Sequence, residues 1–411
     1  MDKIASDECP NVRLARNVLA LRCQEIEVVI TRALTLLLHD ERFSGWTPKD
    51  KVERQHFSME YMRFYKEAGF EPLLYSYHQE AESKQIYRLG QTGIVKIFPV
   101  KFRFPPFLRF GNDHNPEQIA REMLVDQPEL VHFHHYYLFS FPYIAAFVKR
   151  RLRKPLIAQL HGCMMHKWMY LPSLLALRNA DRILYSYKPE KEVYAKLGVA
   201  DRAVRLPFPG IDPEIFRPTR RKRTNRLLYV GRIPNSENAH GEKSPFLMIQ
   251  IFKKLLRRST DFYLDIIGDG PGLSRGRGLV KNLGIDDHVV FHGYVPHHQL
   301  PEYYQSSILT FSPIQMYDVD GWCDGAIQES LACGTPVAAF KASPKTPMHG
   351  TYGFLLPTDT EKAAADLHGL LRAHARIDEI AVEGSRFVRE NCSHGRVMSG
   401  LNKVLRSVMW C

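Results

Sequence analysis

The chain lacks any run of residues long and apolar enough to cross a bilayer. The best candidate near the start, residues 28–38, is short and is broken by Arg32, well under the roughly 20 apolar residues that a spanning helix needs. Residues 1–20 contain Asp2, Asp7 and Glu8 and no uninterrupted apolar core, which argues against a secretory leader. The cysteines are seven, an odd count with no CxxC spacing, and point to free thiols in a reducing compartment rather than a disulfide framework. No short-period repeat is present, which argues against a solenoid. No nucleic-acid-binding module motif accompanies the basic surplus, so nucleic acid is not the expected partner. These absences together lead us to expect a cytoplasmic protein. Hydrophobic residues at 45% and charged residues at 24% exclude a disordered chain, and 411 residues suffice for two domains with separate cores.

The net charge of +12 is concentrated in two places, residues 149–154 (KRRLRK) and residues 217–226 (RPTRRKRTNR). The first follows the apolar stretch 136–148 directly. An apolar helix that ends in a basic cluster suits an interfacial element on anionic lipid, which makes peripheral contact with a membrane one expectation. A core-facing helix with a solvated basic end fits the same pattern. Residues 102–110 (FRFPPFLRF) interleave aromatics with arginines, as an acceptor or membrane loop does, and as a proline-stiffened loop packing its own aromatics also does.

Short apolar strands alternate with helical patterns along the whole chain, which predicts α/β architecture with parallel sheets. Strands are expected at 33–38, 72–77, 94–99, 130–134, 155–160 and 182–185, with helices at 51–68, 116–126 and 141–151 among them. The second half offers strands at 227–230, 263–267, 289–291, 308–312, 336–340 and 353–356. Each half is the size of a doubly wound, Rossmann-like domain. Between them, residues 206–218 (LPFPGIDPEIFRP) are rich in proline and carry neither period, as a hinge does.

Residues 325–340 (GAIQESLACGTPVAAF) are the most informative segment. They spell a short helix stopped by Gly334 and Pro336 and fed into a buried strand. Glu329 sits inside that helix between Ile327 and Leu331, where a carboxylate either faces a polar ligand or costs several kcal/mol if buried unpaired. The segment resembles the C-terminal E…E-x-A-x-G-x-P-V signature of the retaining GT-B glycosyltransferases of family 4, also called group 1. The resemblance extends from about 128 to 406 and includes 180–186 (ADRILYS), similar to the family's A-D-x-x-x-x-x-S though one residue shorter, Y-x-x-x-G-V from 194, the linker, and a closing F-S-x-x-x-V-type segment at 387–405. It implies two Rossmann-like domains facing across a cleft: residues 1–208 for the acceptor, 209–385 for the nucleotide sugar, and 386–411 as a helix packing back on the first domain.

The resemblance also assigns roles. A diphosphate leaving group gains charge as the glycosidic bond breaks, and without a metal it needs cations and helix N-termini to hold it. Gly231 and Arg232 follow a predicted strand and resemble the family's G-R, with Lys243 in a Gly-Glu-Lys-Ser turn as the partner Lys. Glu329 resembles the Glu that holds the ribose hydroxyls. The companion Glu eight residues earlier is replaced by Gly321, and Asp320 and Asp324 flank the gap. The backbone of Asp324, Gly325, Ala326 and Ile327 heads a helix and offers N–H groups to phosphate or sugar. His161 resembles the family's H-G histidine at the donor sugar, and it ends a predicted strand, where sites of this fold form. Gly45 resembles the glycine loop beside the donor, and Gly268-Asp269-Gly270-Pro271 resembles a G-x-G-P turn. Asp318 and Asp320 spell DxD, which we read as loop carboxylates. His132, His134, His135, His161, Cys163 and His166 offer a zinc alternative, whereas the first of them resemble the family's metal-free P-D-x-x-H-x-H strand. The expected activity is retaining, metal-independent transfer of a sugar from a nucleoside-diphosphate donor to an acceptor hydroxyl (glycan, lipid-linked or small-molecule), with no cofactor. A catalytically degenerate subunit of a glycosylation complex and a nucleotide-sugar epimerase are the alternatives.

Overall fold

The structure is a computed structural model that describes residues 32–409 apart from 38–45, 55, 79, 101–115, 135–139, 161–169, 187–189, 208–209, 222, 235–244, 317–324 and 342–351. The chain builds β1 (Arg32–Leu37), α1 (Pro48–Arg54), α2 (His56–Glu67), β2 (Glu71–His78), β3 (Gln85–Arg88), β4 (Ile94–Pro99), α3 (Glu117–Asp126) and β5 (Leu130–His134). There follow α4 (Ser140–Phe147), β6 (Leu156–Leu160), α5 (Tyr170–Leu177), β7 (Arg182–Tyr185), α6 (Glu190–Lys196) and β8 (Ala203–Arg205). These strands form an eight-stranded sheet in the order β3-β4-β2-β1-β5-β6-β7-β8. Every pairing in it is parallel except that of β3 with β4. All five residues of β5 are buried, as a strand covered by helices on both faces requires.

Two of these strands were not expected from the sequence. β3 (QIYR) alternates between half-buried and exposed positions at the sheet edge, and β8 (AVR) is half-buried throughout. Neither offers the apolar run that marks a central strand. The helix expected at 51–68 is divided into α1 and α2. Its start is set by reciprocal bonds in which the Thr47 amide and hydroxyl donate to Asp50 Oδ2 and the Asp50 amide donates to Thr47 Oγ1, a capping box with Pro48 at the first helical position. The helix expected at 141–151 runs as α4 and then widens into a π-helical turn over Val148–Leu152, ended by Arg153 at φ 55°. Phe141, Ile144, Ala145 and Val148 lie in the core of this domain. Lys149 is paired with Asp181 at 2.9 Å and Lys154 with Glu129 at 2.6 Å. The described part of the apolar stretch before KRRLRK, residues 140–148, thus turns these four side chains inward, the core-facing option.

The second sheet holds β9 (Thr224–Val230), β10 (Tyr263–Ile267), β11 (Val289–Gly293), β12 (Ser307–Met316), β13 (Val337–Lys341) and β14 (Gly353–Leu356). Its order is β11-β10-β9-β12-β13-β14, parallel throughout. The helices α7 (Phe246–Leu256), α8 (Leu273–Asn282), α9 (Leu300–Ser306), α10 (Gly325–Ala332), α11 (Thr360–Arg372) and α12 (His374–Asn391) accompany it. Hydrophobic clusters cover both of its faces. The stop after α10 has the expected form: Gly334 takes φ 76°, and the Thr335 amide donates to the Ser330 carbonyl at 2.9 Å.

The last helix, α13 (His394–Met409), follows the second domain in the chain but packs on the first. Val397, Leu401, Val404 and Leu405 share one buried cluster with Tyr61, Phe64 and Tyr65 of α2 and with Leu130, Ile157 and Leu184 of the first sheet. The linker is tied to its start, because the Ile211 amide donates to Cys392 O and the His394 amide donates to Ile211 O, both at 2.8 Å.

Candidate active site

In each sheet the strand order reverses beside the first strand of its domain, between β1 and β5 and between β9 and β12. In doubly wound sheets, ligands bind at the carboxyl ends of strands at such a point. Gly231 and Arg232 leave the carboxyl end of β9, next to β12 and so at the second reversal. Their loop is locked to the turn after β10 by backbone contacts alone. The Gly231 amide donates to Ile267 O at 3.0 Å, the Ile233 amide to Asp269 O at 2.9 Å and the Gly272 amide to Ile233 O at 2.9 Å. Gly268 is the closest point: with φ +137°, a Cβ there would lie 1.8 Å from the Gly231 carbonyl oxygen. Only glycine permits that approach. The Arg232 side chain is exposed and forms no ion pair among the described residues, which leaves its guanidinium available to an anion.

Glu329 projects from the second turn of α10, and both of its oxygens are engaged. His297 Nε2 lies 2.8 Å from Oε1 and the Tyr304 hydroxyl donates to Oε2 at 2.9 Å. The carboxylate is 12% exposed, so it is neither unpaired nor sealed off. A carboxylate has about four lone-pair positions, and two remain open while His297 and Tyr304 fix its orientation. Neither residue was singled out in the sequence, where a histidine pair in a short turn and a tyrosine on a short helix carry no signal. Gly325, Ala326 and Ile327 form the first turn of α10. Lys243, Asp324, His161 and Gly45, with Gly321, Asp318 and Asp320, lie outside the described residues, and so do His135, Cys163, His166 and residues 102–110.

The first domain meets this surface through α1 and α2. Arg54 stands 3.7 Å from Asp269 in the Gly268–Gly270 turn and lies over the Tyr294 ring at 5.1 Å. Glu60 is largely buried, and burial holds its carboxyl above the usual range, with the charges of Arg63, His394 and His297 working the other way. At the first reversal, His132 and His134 of β5 are fully buried, their rings 4.0 Å apart. His132 Nδ1 is 2.8 Å from the Tyr65 hydroxyl, and burial depresses its pKa to about 3, the Gln159 side chain opposing. His132 therefore stays neutral at physiological pH. Among the described residues no group of three or more His, Cys, Asp or Glu is placed to hold a metal.

Two doubly wound domains, joined by a pinned linker and closed by a returning helix, define the GT-B architecture. Solved structures share it at low identity. A sucrose-phosphate synthase from Thermosynechococcus elongatus aligns with a TM-score of 0.67 and 16% identity, over 92% of this chain and 99% of that one. HepE of Anabaena, solved in complex with UDP and glucose, aligns with a TM-score of 0.66 and 15% identity, over 92% and 100%. Residues 211–371 match the family described as "Glycosyl transferases group 1", and residues 57–215 match "Glycosyltransferase Family 4". The chain belongs to the group 1 glycosyltransferases of the GT-B fold. Among curated relatives, a GDP-mannose-dependent alpha-(1-6)-phosphatidylinositol monomannoside mannosyltransferase of Mycolicibacterium smegmatis is 26% identical over 263 residues, covering 59% of this chain and 68% of the relative. A D-inositol 3-phosphate glycosyltransferase of Acidothermus cellulolyticus is 31% identical over 183 residues, covering 39% of this chain and only 38% of the relative.

Proposed function

We propose that the protein transfers a glycosyl residue from a nucleoside-diphosphate sugar to an acceptor hydroxyl, with retention of anomeric configuration and without a metal ion. The observation that carries this is Arg232, exposed and without an ion pair among the described residues, on a glycine turn locked at the reversal point of the second sheet. Arg232, with Lys243, would neutralise the departing diphosphate, and the N–H groups of Gly325, Ala326 and Ile327, headed by Asp324, would add their dipoles. Glu329, held by His297 and Tyr304, would accept from the ribose hydroxyls. His161 would meet the sugar, and Gly45 would allow its loop to approach the donor.

In the reaction we infer, the acceptor oxygen bonds to the anomeric carbon on the face from which the leaving group departs. The bond from that carbon to the β-phosphate oxygen breaks, and the acceptor proton passes to the departing phosphate. Trapping a covalent glycosyl-enzyme would overturn that route.

The relatives supply the first donors and acceptors to try. One is named for GDP-mannose and phosphatidylinositol monomannoside, another for inositol 3-phosphate. Membrane-borne acceptors would be approached through the basic end after α4, where Arg150 and Arg153 remain exposed. The test is thermal stabilisation by UDP-, GDP-, ADP- and TDP-sugars, with and without EDTA, on the parent and on Glu329→Ala. A shift of a few degrees with one nucleotide, unchanged by EDTA and lost in the variant, is the expected result. No shift with any nucleotide refutes the donor site, and loss of the shift in EDTA refutes metal independence.

A further inference from the structure

At the other end of the second sheet, beneath the amino ends of β9 and β12, a cavity of about 430 Å³ opens between the end of α10 and the first turn of α12. The basic segment 217–226, which the donor site does not use, runs along its wall. We propose that this cavity is a second anion site, which takes a phosphate-bearing small molecule no larger than a nucleoside monophosphate.

Three basic side chains, Arg221, Arg223 and His374, line the cavity against one carboxylate, Asp378. That carboxylate is already paired with Arg223, whose other terminal nitrogen donates to Gly334 O at 2.6 Å. Arg223 is thereby fixed in place, and Arg221, in only a long pair with Glu302, is the guanidinium able to turn towards a ligand. Arg221 is held only loosely, half-exposed and 3.8 Å from the Glu302 carboxylate. The side chains of His374 and Asn225 make no hydrogen bond or ion pair with another described residue. A phosphate group satisfies such a set, because guanidinium forks and amide N–H groups match its oxygens. Ile308 and Ile377 give the cavity an apolar floor for the organic part of the ligand. The volume lies within the roughly 300–1,000 Å³ of small-molecule sites.

The site is tested by calorimetric titration of Arg232→Ala protein, in which binding at the donor turn is weakened, and the variants of the cavity decide which site a signal comes from. Two probes are used separately: inorganic pyrophosphate, and phosphatidylcholine vesicles containing phosphatidic acid. Binding is expected to persist in Arg232→Ala and to weaken at least tenfold when Arg221→Glu or His374→Ala is added. It is expected to stay unchanged with Arg220→Glu, an exposed neighbour outside the cavity wall. Pyrophosphate binding that Arg221→Glu weakens identifies a free metabolite as the source, vesicle binding alone that Arg221→Glu weakens identifies a lipid headgroup, and binding that Arg221→Glu and His374→Ala leave unchanged overturns the proposal. Absence of all binding in Arg232→Ala overturns the proposal, as does equal weakening by Arg220→Glu, which would reduce the effect to general surface charge. Because the nucleotide-sugar melting test is run on protein with Arg232 intact, failure there and failure here are told apart.

Discussion

Replacing Gly268 by alanine tests whether the donor turn is held by backbone-to-backbone packing. At φ +137° an alanine sits in a region populated almost only by glycine, which costs about 1–3 kcal/mol. Its Cβ would stand 1.8 Å from the Gly231 carbonyl oxygen, so one loop must move. Both loops are tied, by Gly231 N to Ile267 O at 3.0 Å and by Gly268 N to Gly293 O at 2.8 Å. Moving one of them therefore costs about 1–3 kcal/mol of overpacking and the loss of a hydrogen bond, about 0.5–1.5 kcal/mol. The sum is about 2.5–7.5 kcal/mol, which at roughly 2–4 °C per kcal/mol for a domain of this size lowers the melting temperature by about 5–30 °C. Gly278→Ala is the control: Gly278 is exposed within α8 with nothing within 4 Å of an added Cβ, and there alanine stabilises a helix by about 0.5–1 kcal/mol. Thermal denaturation of both variants, followed by circular dichroism, is the assay. If Gly268→Ala melts within about 2 °C of the parent, or if Gly278→Ala is as damaging, the packing account is wrong.

Other substitutions probe the remaining links. Lys96 Nζ contacts Asp126 at 2.7 Å and Glu122 at 2.6 Å, and Tyr75 also donates to Asp126. Lys96→Met strands a buried carboxylate and should cost about 3–5 kcal/mol in urea unfolding, whereas a loss under about 1 kcal/mol would mean that solvent reaches it. His132 has a folded pKa of about 3 against 6.5 when free, so below pH 6.5 the unfolded chain takes up the proton first. The stability from this histidine is complete above pH 6.5 and should fall by about 4–5 kcal/mol towards pH 3, at about 1.4 kcal/mol per pH unit. In His132→Asn that part of the slope should vanish, and an unchanged slope would place the titration elsewhere. Leu401→Ala removes a buried side chain of α13 from the first domain's cluster and should cost about 2–5 kcal/mol. A loss under about 1 kcal/mol would show that the returning helix is not part of that core. Tyr304→Phe takes one donor from Glu329 and should weaken donor binding about three- to tenfold, the value of one hydrogen bond. Unaltered affinity would separate Glu329 from the nucleotide.

What the sequence alone determined was whatever depends on local chemistry. All twelve expected strands overlap strands of the two sheets, the central ones because burial on both faces leaves a continuous apolar signature. The stop at Gly334, the proline-rich linker and the lone carboxylate Glu329 were likewise visible, since each is a single residue or short run with few structural uses. Tertiary structure alone decided the rest. The edge strands β3 and β8 exist because a neighbouring strand offers hydrogen bonds, not because their own residues demand it. His297 and Tyr304 reach Glu329 from 32 and 25 residues away, and such a meeting is set by topology, which no local period encodes. The apolar stretch before KRRLRK faced either lipid or protein with equal right in the sequence, and the core of the first domain claimed it. The cavity under the second sheet is the clearest case: its basic segment was plain as a run of charge, but only the fold brings that segment to the ends of two helices, where charge becomes a site.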